Sequence, residues 1–222
     1  MFFSPLLTAT ATLGLVSAIS LPPRHNHDYD PFAQNYAFRL VTNISDPAAD
    51  KTYQGRGIHF VSTASGVAYA VPVPRTVPGV VFYMVPHGNQ TSHGTVLTEL
   101  SGGPEMIFSL NIAGAFGDVV VADGPAGSPL ISRGGFPEIL PGVAARSVAN
   151  FALCKKILQF GNGVEEEVTT VVLAGLATSA CQPVNLLAEC EDLHQVPEGS
   201  KANEFHKVAQ KVWCYKNIGG RG

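Results

Sequence analysis

From Tyr36 onward, apolar residues recur at every second position or gather in short solid runs. The runs are AFRLVTN at 37–43, GIHFVST at 57–63, VAYAVPV at 67–73, VVFYMVP at 80–86, TVLTEL at 95–100 and MIFSLNI at 106–112. Each is bounded by Gly, Pro, Asn or Ser. A period of two between turn formers predicts strands of about six residues. The pattern continues through Asp118–Ala122, where Asp123-Gly124 signals a tight turn, and through 129–132. After a Gly- and Pro-rich crossing at 133–141 come FALCKKILQF, EVTTVVLAG and PVNLLAEC. Gly161-Asn162-Gly163 supplies the positive-φ positions for a turn between the first two, and the Val/Thr run favours a pleated surface. About twelve short strands predict an all-β domain, a sandwich or a barrel, with a β-trefoil as the alternative. The absence of a clear internal repeat weighs against the trefoil.

Beyond Cys190 the chain changes character. Glu191, Asp192, Glu198, Lys201, Glu204, Lys207 and Lys211 crowd a stretch that follows a charge-poor one. Ser200 is placed to cap a short helix whose apolar positions Phe205, Val208 and Val212 fall three and four apart; Val212–Tyr215 reads equally as a final strand. At the other end, residues 1–20 form an uncharged apolar stretch closing on small residues before Leu21-Pro22-Pro23, as a secretory signal peptide does. Cleavage after Ala18 or after Ser20 fits. The expected organisation is a signal peptide at 1–20, a flexible lead-in at 21–35, a β-domain at 36–190 and a disulfide-tethered polar segment at 191–222.

Composition supports a packed, exported domain. Of 222 residues 45% are hydrophobic and only 14% charged, enough apolar material for a core. A net charge of −3 with scattered Lys and Arg argues against nucleic acid as a partner. No segment after the leader has the ~18 uninterrupted apolar residues of a membrane span, and the end of the chain lacks the hydrophobic tail of a lipid-anchor signal. Asn43-Ile44-Ser45 and Asn89-Gln90-Thr91 are glycosylation sequons beside turn formers. The four cysteines all lie in the last third of the chain. In an oxidising compartment they pair, and of three connectivities Cys154–Cys181 with Cys190–Cys214 is favoured, because each closes a short loop between neighbouring strands. A zinc site has no support in the spacing.

The arrangement Asn150–Cys154, Thr169–Ala174 and Ser179–Leu187 is an aromatic-x-x-Cys strand, an apolar strand and a closing Cys-x-x-Val strand. It resembles the C-terminal signature of an uncharacterised family of small fungal secreted proteins, whose members also carry an N-terminal Phe-rich strand like Phe38–Thr42. The resemblance implies a compact secreted β-protein, wall-associated or effector-like. It brings no catalytic residues to transfer.

Compact enzyme motifs are missing: there is no G-x-S-x-G, Walker loop, H-E-x-x-H or dinucleotide fingerprint. A dispersed triad would draw on His59, His87, His93, Asp118 and Asp123, and a glycosidase on Glu99, Glu105, Asp118 and Glu138. Nothing local activates a nucleophile, so unrelated turn and surface roles are favoured. Glu165-Glu166-Glu167 reads as a solvated hairpin tip. His25 and His27, with Asp28 and Asp30, are the most metal-like cluster; cleavage after Arg24 would expose His25 as a copper-chelating terminus, but a polar linker fits the composition better. No metal or other cofactor is expected.

Among the aromatics Tyr53, Tyr69, Phe82, Phe108 and Phe116 alternate with apolar neighbours as core residues do. Tyr83, in a run where one face turns outward unless the strand is wholly buried, and Trp213, in the polar tail, are the expected ligand-binding surface residues. The expected function is that of a secreted, non-enzymatic extracellular or cell-wall interaction protein, binding wall polysaccharide or a host or other extracellular protein. The alternative is a secreted polysaccharide hydrolase or copper-dependent enzyme.

Overall fold

The computed structural model describes residues 32–77, 79–87, 90–99, 106–115, 117–124, 129–132, 138–141 and 151–218, with side chains at 87, 90–93, 129–132, 138, 140 and 141 left aside. The expected signal peptide, His25, His27, Asn89 and Glu105 lie outside these residues, as do the side chains of His87, His93 and Glu138.

Among the described residues fourteen strands join one sheet. In chain order they are β1 (Phe32–Asn35), β2 (Ala37–Asn43), β3 (Gly57–Ser62), β4 (Ala68–Val73), β5 (Phe82–His87), β6 (Gln90–Thr98) and β7 (Phe108–Ala113). The second half supplies β8 (Asp118–Asp123), β9 (Pro129–Ser132), β10 (Glu138–Pro141), β11 (Phe151–Gln159), β12 (Glu165–Leu173), β13 (Gln182–Glu191) and β14 (Val212–Tyr215). One helix, α1 (Lys201–Val208), precedes β14.

Pairing closes the sheet. β2 bonds β5, then β6, β7, β8, β12, β11 and β13 follow in turn, and β13 returns to β2 over seven residue pairs. Every pairing in this eight-stranded ring is antiparallel, so the architecture is a barrel rather than an open sandwich or a trefoil. The hairpin β3–β4 bridges β2 to β8, and the pair β9–β10 bridges β6 to β13. Closure removes the free edges that eight antiparallel strands would otherwise expose.

The period of two sorts side chains into and out of this barrel. Phe38, Leu40, Phe82, Met84, Phe151, Leu153, Val171, Val184 and Leu186 point inward and join one buried cluster. Phe82 centres the aromatic part of it, stacked on Phe38 at 6.1 Å and edge-on to Phe60 at 6.0 Å. Burial of each such ring contributes about 2 kcal/mol.

On the outer side of β5 and β6 a second cluster forms, in which Tyr83, Val85 and Leu97 are covered by Ala202 and Phe205 of α1 and by Leu193 and Val196. Ser200 caps the helix, its Oγ accepting from the Asn203 N–H at 3.3 Å. The helix stops at Val208, which is exposed, and Gln210 donates its N–H to the Met84 carbonyl at 2.8 Å. That bond turns the chain extended, so Val212 belongs to β14 and not to the helical face.

Two expectations are corrected here. Tyr83 is 1% exposed, because α1 buries the outer face of a strand whose inner face already lines the barrel. It offers no face to a ligand. The last four residues of the expected flexible lead-in form β1, which pairs with β14; no periodicity announced a strand that short.

The disulfides are Cys154–Cys181, with Cα atoms 4.6 Å apart, and Cys190–Cys214, with Cα atoms 5.0 Å apart. The first ties β11 to the residue just before β13. The second ties β13 to β14. Among the described residues no helix is long and apolar enough to cross a membrane.

Candidate functional site

Cys214 and Val212 are buried in the barrel cluster, and alternation then sends Trp213 and Tyr215 to the outer side of β14. On β1, Phe32 stands opposite Tyr215 and Gln34 opposite Trp213, so these side chains share that face. The Phe32 and Tyr215 rings are 4.9 Å apart and tilted by 56°. Tyr36, at the bend after β1, is 44% exposed and carries the Lys211 ammonium 5.3 Å from its ring centroid. Trp213, Tyr215 and Phe32 are each partly exposed. The result is a two-stranded aromatic ribbon at one end of the sheet.

The ribbon runs into a polar groove. Glu189 of β13 is in register with Tyr215 on one side and with Arg39 of β2 on the other, which places all three on the outer surface. A groove of about 420 Å³ opens here, lined by Arg39, Arg75, Glu189, Lys216 and Asn217 over the main chain of β2. Glu189 is held by the Arg75 guanidinium and accepts the Ile218 N–H at 2.8 Å. Arg39 Nε lies 2.7 Å from Glu191 Oε2. The Cβ of any residue other than glycine at Gly79 would come within 3.0 Å of Arg39 Cδ, so the glycine makes room for the arginine stem.

Two other places gather polar groups. A 230 Å³ cavity beside Cys154–Cys181 is walled by Val172, Leu176 and Thr178 and floored by an ion pair, Lys156 Nζ to Asp118 Oδ2 at 2.6 Å. Lys156 also lies 4.8 Å from the Tyr69 ring centroid. Under α1, His206 Nε2 meets Glu99 Oε1 at 2.6 Å, with side-chain exposures of 8% and 13%. The His206 ring packs edge-on to Tyr83 at 4.7 Å. Burial, and then the nearby Glu99 charge, push the Tyr83 phenol well above its usual range. Its hydroxyl faces that carboxylate without the geometry of a full hydrogen bond. The space enclosed by these three groups is about 20 Å³, too small for a substrate.

Among the described residues the dispersed catalytic candidates are not brought together. Asp118 is engaged by Lys156, Asp123 ends β8, and the His59 ring contacts the neighbouring Phe60 carbonyl at 3.1 Å. Glu99 meets a histidine the sequence reading did not single out, 107 residues away. Among the described residues no group of three or more His, Cys, Asp or Glu is placed to hold a metal. Asn43 ends β2, half-buried, with its Oδ1 accepting from Gln54 Nε2 at 3.2 Å.

Trp213 thus sits in the aromatic ribbon, whereas Tyr83 does not. Tyr215, Phe32 and Tyr36 were missed. One signal for Tyr215 was legible: in Lys211-Val-Trp-Cys-Tyr-Lys216 an inward cysteine makes both of its neighbours outward. Nothing in the sequence paired Phe32 with Tyr215, since the pairing spans almost the whole chain.

The chain is similar to antigenic protein SchS34 of the fungus Stachybotrys chartarum. The two are 25% identical over 206 residues, covering 86% of this chain and 90% of that protein. The similarity suggests an uncharacterised fungal protein family. No family model matches the chain, and no solved structure matches it.

Proposed function

We propose that this protein is a secreted, non-enzymatic interaction protein that holds a wall polysaccharide on its aromatic ribbon and the adjoining groove. The observation that carries this reading is the outward row of Phe32, Trp213 and Tyr215 beside a groove of guanidinium, carboxylate and amide groups. Sugar rings have apolar faces that stack on aromatic rings and hydroxyl edges that hydrogen-bond to such polar groups. The apolar leader at 1–20 and the two disulfides support export to an oxidising compartment, and a fungal relative described as antigenic is consistent with an extracellular protein. The hydrolase alternative has less behind it, because the best acid–base pair, His206 with Glu99, is closed in under α1.

The test is retention of the non-reduced mature protein on insoluble chitin, β-glucan and acidic wall polymers, with released sugars assayed in the same tubes. Retention without release, lost in Trp213→Ala and in Tyr215→Ala variants of unchanged circular dichroism, is the expected result. Sugar release would overturn the non-enzymatic reading. Equal retention by both variants would remove the ribbon as the site.

A further inference from the structure

The ribbon is bracketed by ammonium groups. Lys211 precedes β14 and Lys216 follows it, both exposed, one against the Tyr36 ring and the other lining the groove. An extended chain rises about 3.3 Å per residue, so the five steps between them span roughly 17 Å along the aromatic row. Other charges on this face include Arg39, Arg75, Glu189 and Glu191. Arg39 pairs with Glu191 and Arg75 with Glu189, so each of these carboxylates already has its guanidinium. Neither Lys211 nor Lys216 is within ion-pair distance of a carboxylate among the described residues. Among the described residues, Lys211 and Lys216 are thus two positive charges of this face without a carboxylate partner, on a chain whose formal charge is −3.

Resting on the glycan-binding reading above, we infer that the polysaccharide this face takes is an acidic one, with uronate or sulfate groups set along its backbone. Stacking on Phe32, Trp213 and Tyr215 holds the sugar rings, and Lys211 and Lys216 each meet an acidic group at opposite ends of the row. An exposed ammonium that no carboxylate holds gains a charge-assisted hydrogen bond from a carboxylate or sulfate and gains less from a hydroxyl. An acidic chain thus binds more tightly than a neutral one of the same backbone. Both lysines are exposed, so their part in binding is screened by salt, with a Debye length of about 8 Å at physiological ionic strength.

The experiment measures binding of the full mature protein to polygalacturonate, to the same polymer fully methyl-esterified, and to a sulfated galactan, each at low and at high salt. Polygalacturonate is expected to bind roughly tenfold more tightly than its ester, as two exposed charge contacts of about 0.7 kcal/mol each would give. That preference should vanish at high salt and in the K211Q/K216Q double variant. Trp213→Ala should weaken both polymers alike. A preference for the sulfated galactan over polygalacturonate would assign the acidic group as sulfate, and the reverse as uronate. Equal affinity for acid and ester, or a preference that survives in the double variant, would overturn the acidic-glycan inference while leaving the ribbon as a glycan site. Failure of all three polymers to bind would overturn the acidic-glycan inference, and failure on chitin and β-glucan as well would overturn the glycan-binding reading.

Discussion

Cys214 is bonded to Cys190 with their Cα atoms 5.0 Å apart, and this bridge fixes which side of β14 faces the solvent. β14 has only four residues and a single residue pair with β13, too little pairing to hold its register unaided. With Cys214 drawn into the barrel cluster, Trp213 and Tyr215 are held outward.

Replacing Cys190 and Cys214 together by serine should cost about 3 kcal/mol, the entropic value for a closed loop of this size. It should also abolish retention on polysaccharide. The matching Cys154/Cys181 variant closes a loop of similar length, with a sequence separation of 27 against 24, and should lose comparable stability yet still bind. Urea unfolding and the pull-down, run on both variants, separate the two roles. Equal binding by the two would sink the idea that the second bridge orients the ribbon.

Alkaline pH should destabilise the fold through Tyr83. Its phenol is held above the usual range by burial and by Glu99, so the folded form keeps a proton that the unfolded chain releases above about pH 10. The contribution is complete below that pH and is lost as pH rises toward the folded value. Denaturant midpoints of the native protein should therefore fall faster between pH 9 and 11 than those of Tyr83→Phe. Parallel curves would show that the phenol does not carry the effect.

Gly94 should not tolerate a side chain. A Cβ there would sit 2.4 Å from the Val85 carbonyl oxygen and 2.5 Å from Met84 Cγ, inside the β5–β6 pairing. Gly94→Ala is expected to lose about 2 kcal/mol through overpacking. Gly66→Ala, in an open turn at φ +79°, should lose only about 1 kcal/mol from backbone strain. Thermal melts of the pair decide whether close approach or backbone freedom matters more.

Asn43 is expected to carry an N-linked glycan when the protein is made in a secretory host. It ends β2 with its side chain half-buried, and among the described residues a single hydrogen bond, from Gln54, holds its amide oxygen. Intact mass before and after glycosidase treatment, compared with Asn43→Gln, reads the occupancy directly. An unchanged mass in the variant would mean that the site is not used.

Much of this fold is legible in the sequence. The alternation of Phe38, Leu40 and Phe82, Met84 with their neighbours marked strands with a buried side, and Ser200 marked a helix start. Even cysteines in one third of the chain pointed to two local staples. These are properties of adjacent residues, and local spacing determines them. Tertiary structure decided the rest. Whether strands close into a barrel depends on pairings such as β13 with β2, which join residues some 150 positions apart and leave no local trace. Tyr83 looked like a surface residue because its own strand cannot announce the helix that covers it. Phe32 looked like linker because its partner, Tyr215, lies at the far end of the chain. The sequence by itself determined the class of most elements and the inward face of the longer strands; only the closed fold determined which outward faces stay open, because that depends on what packs against them from elsewhere.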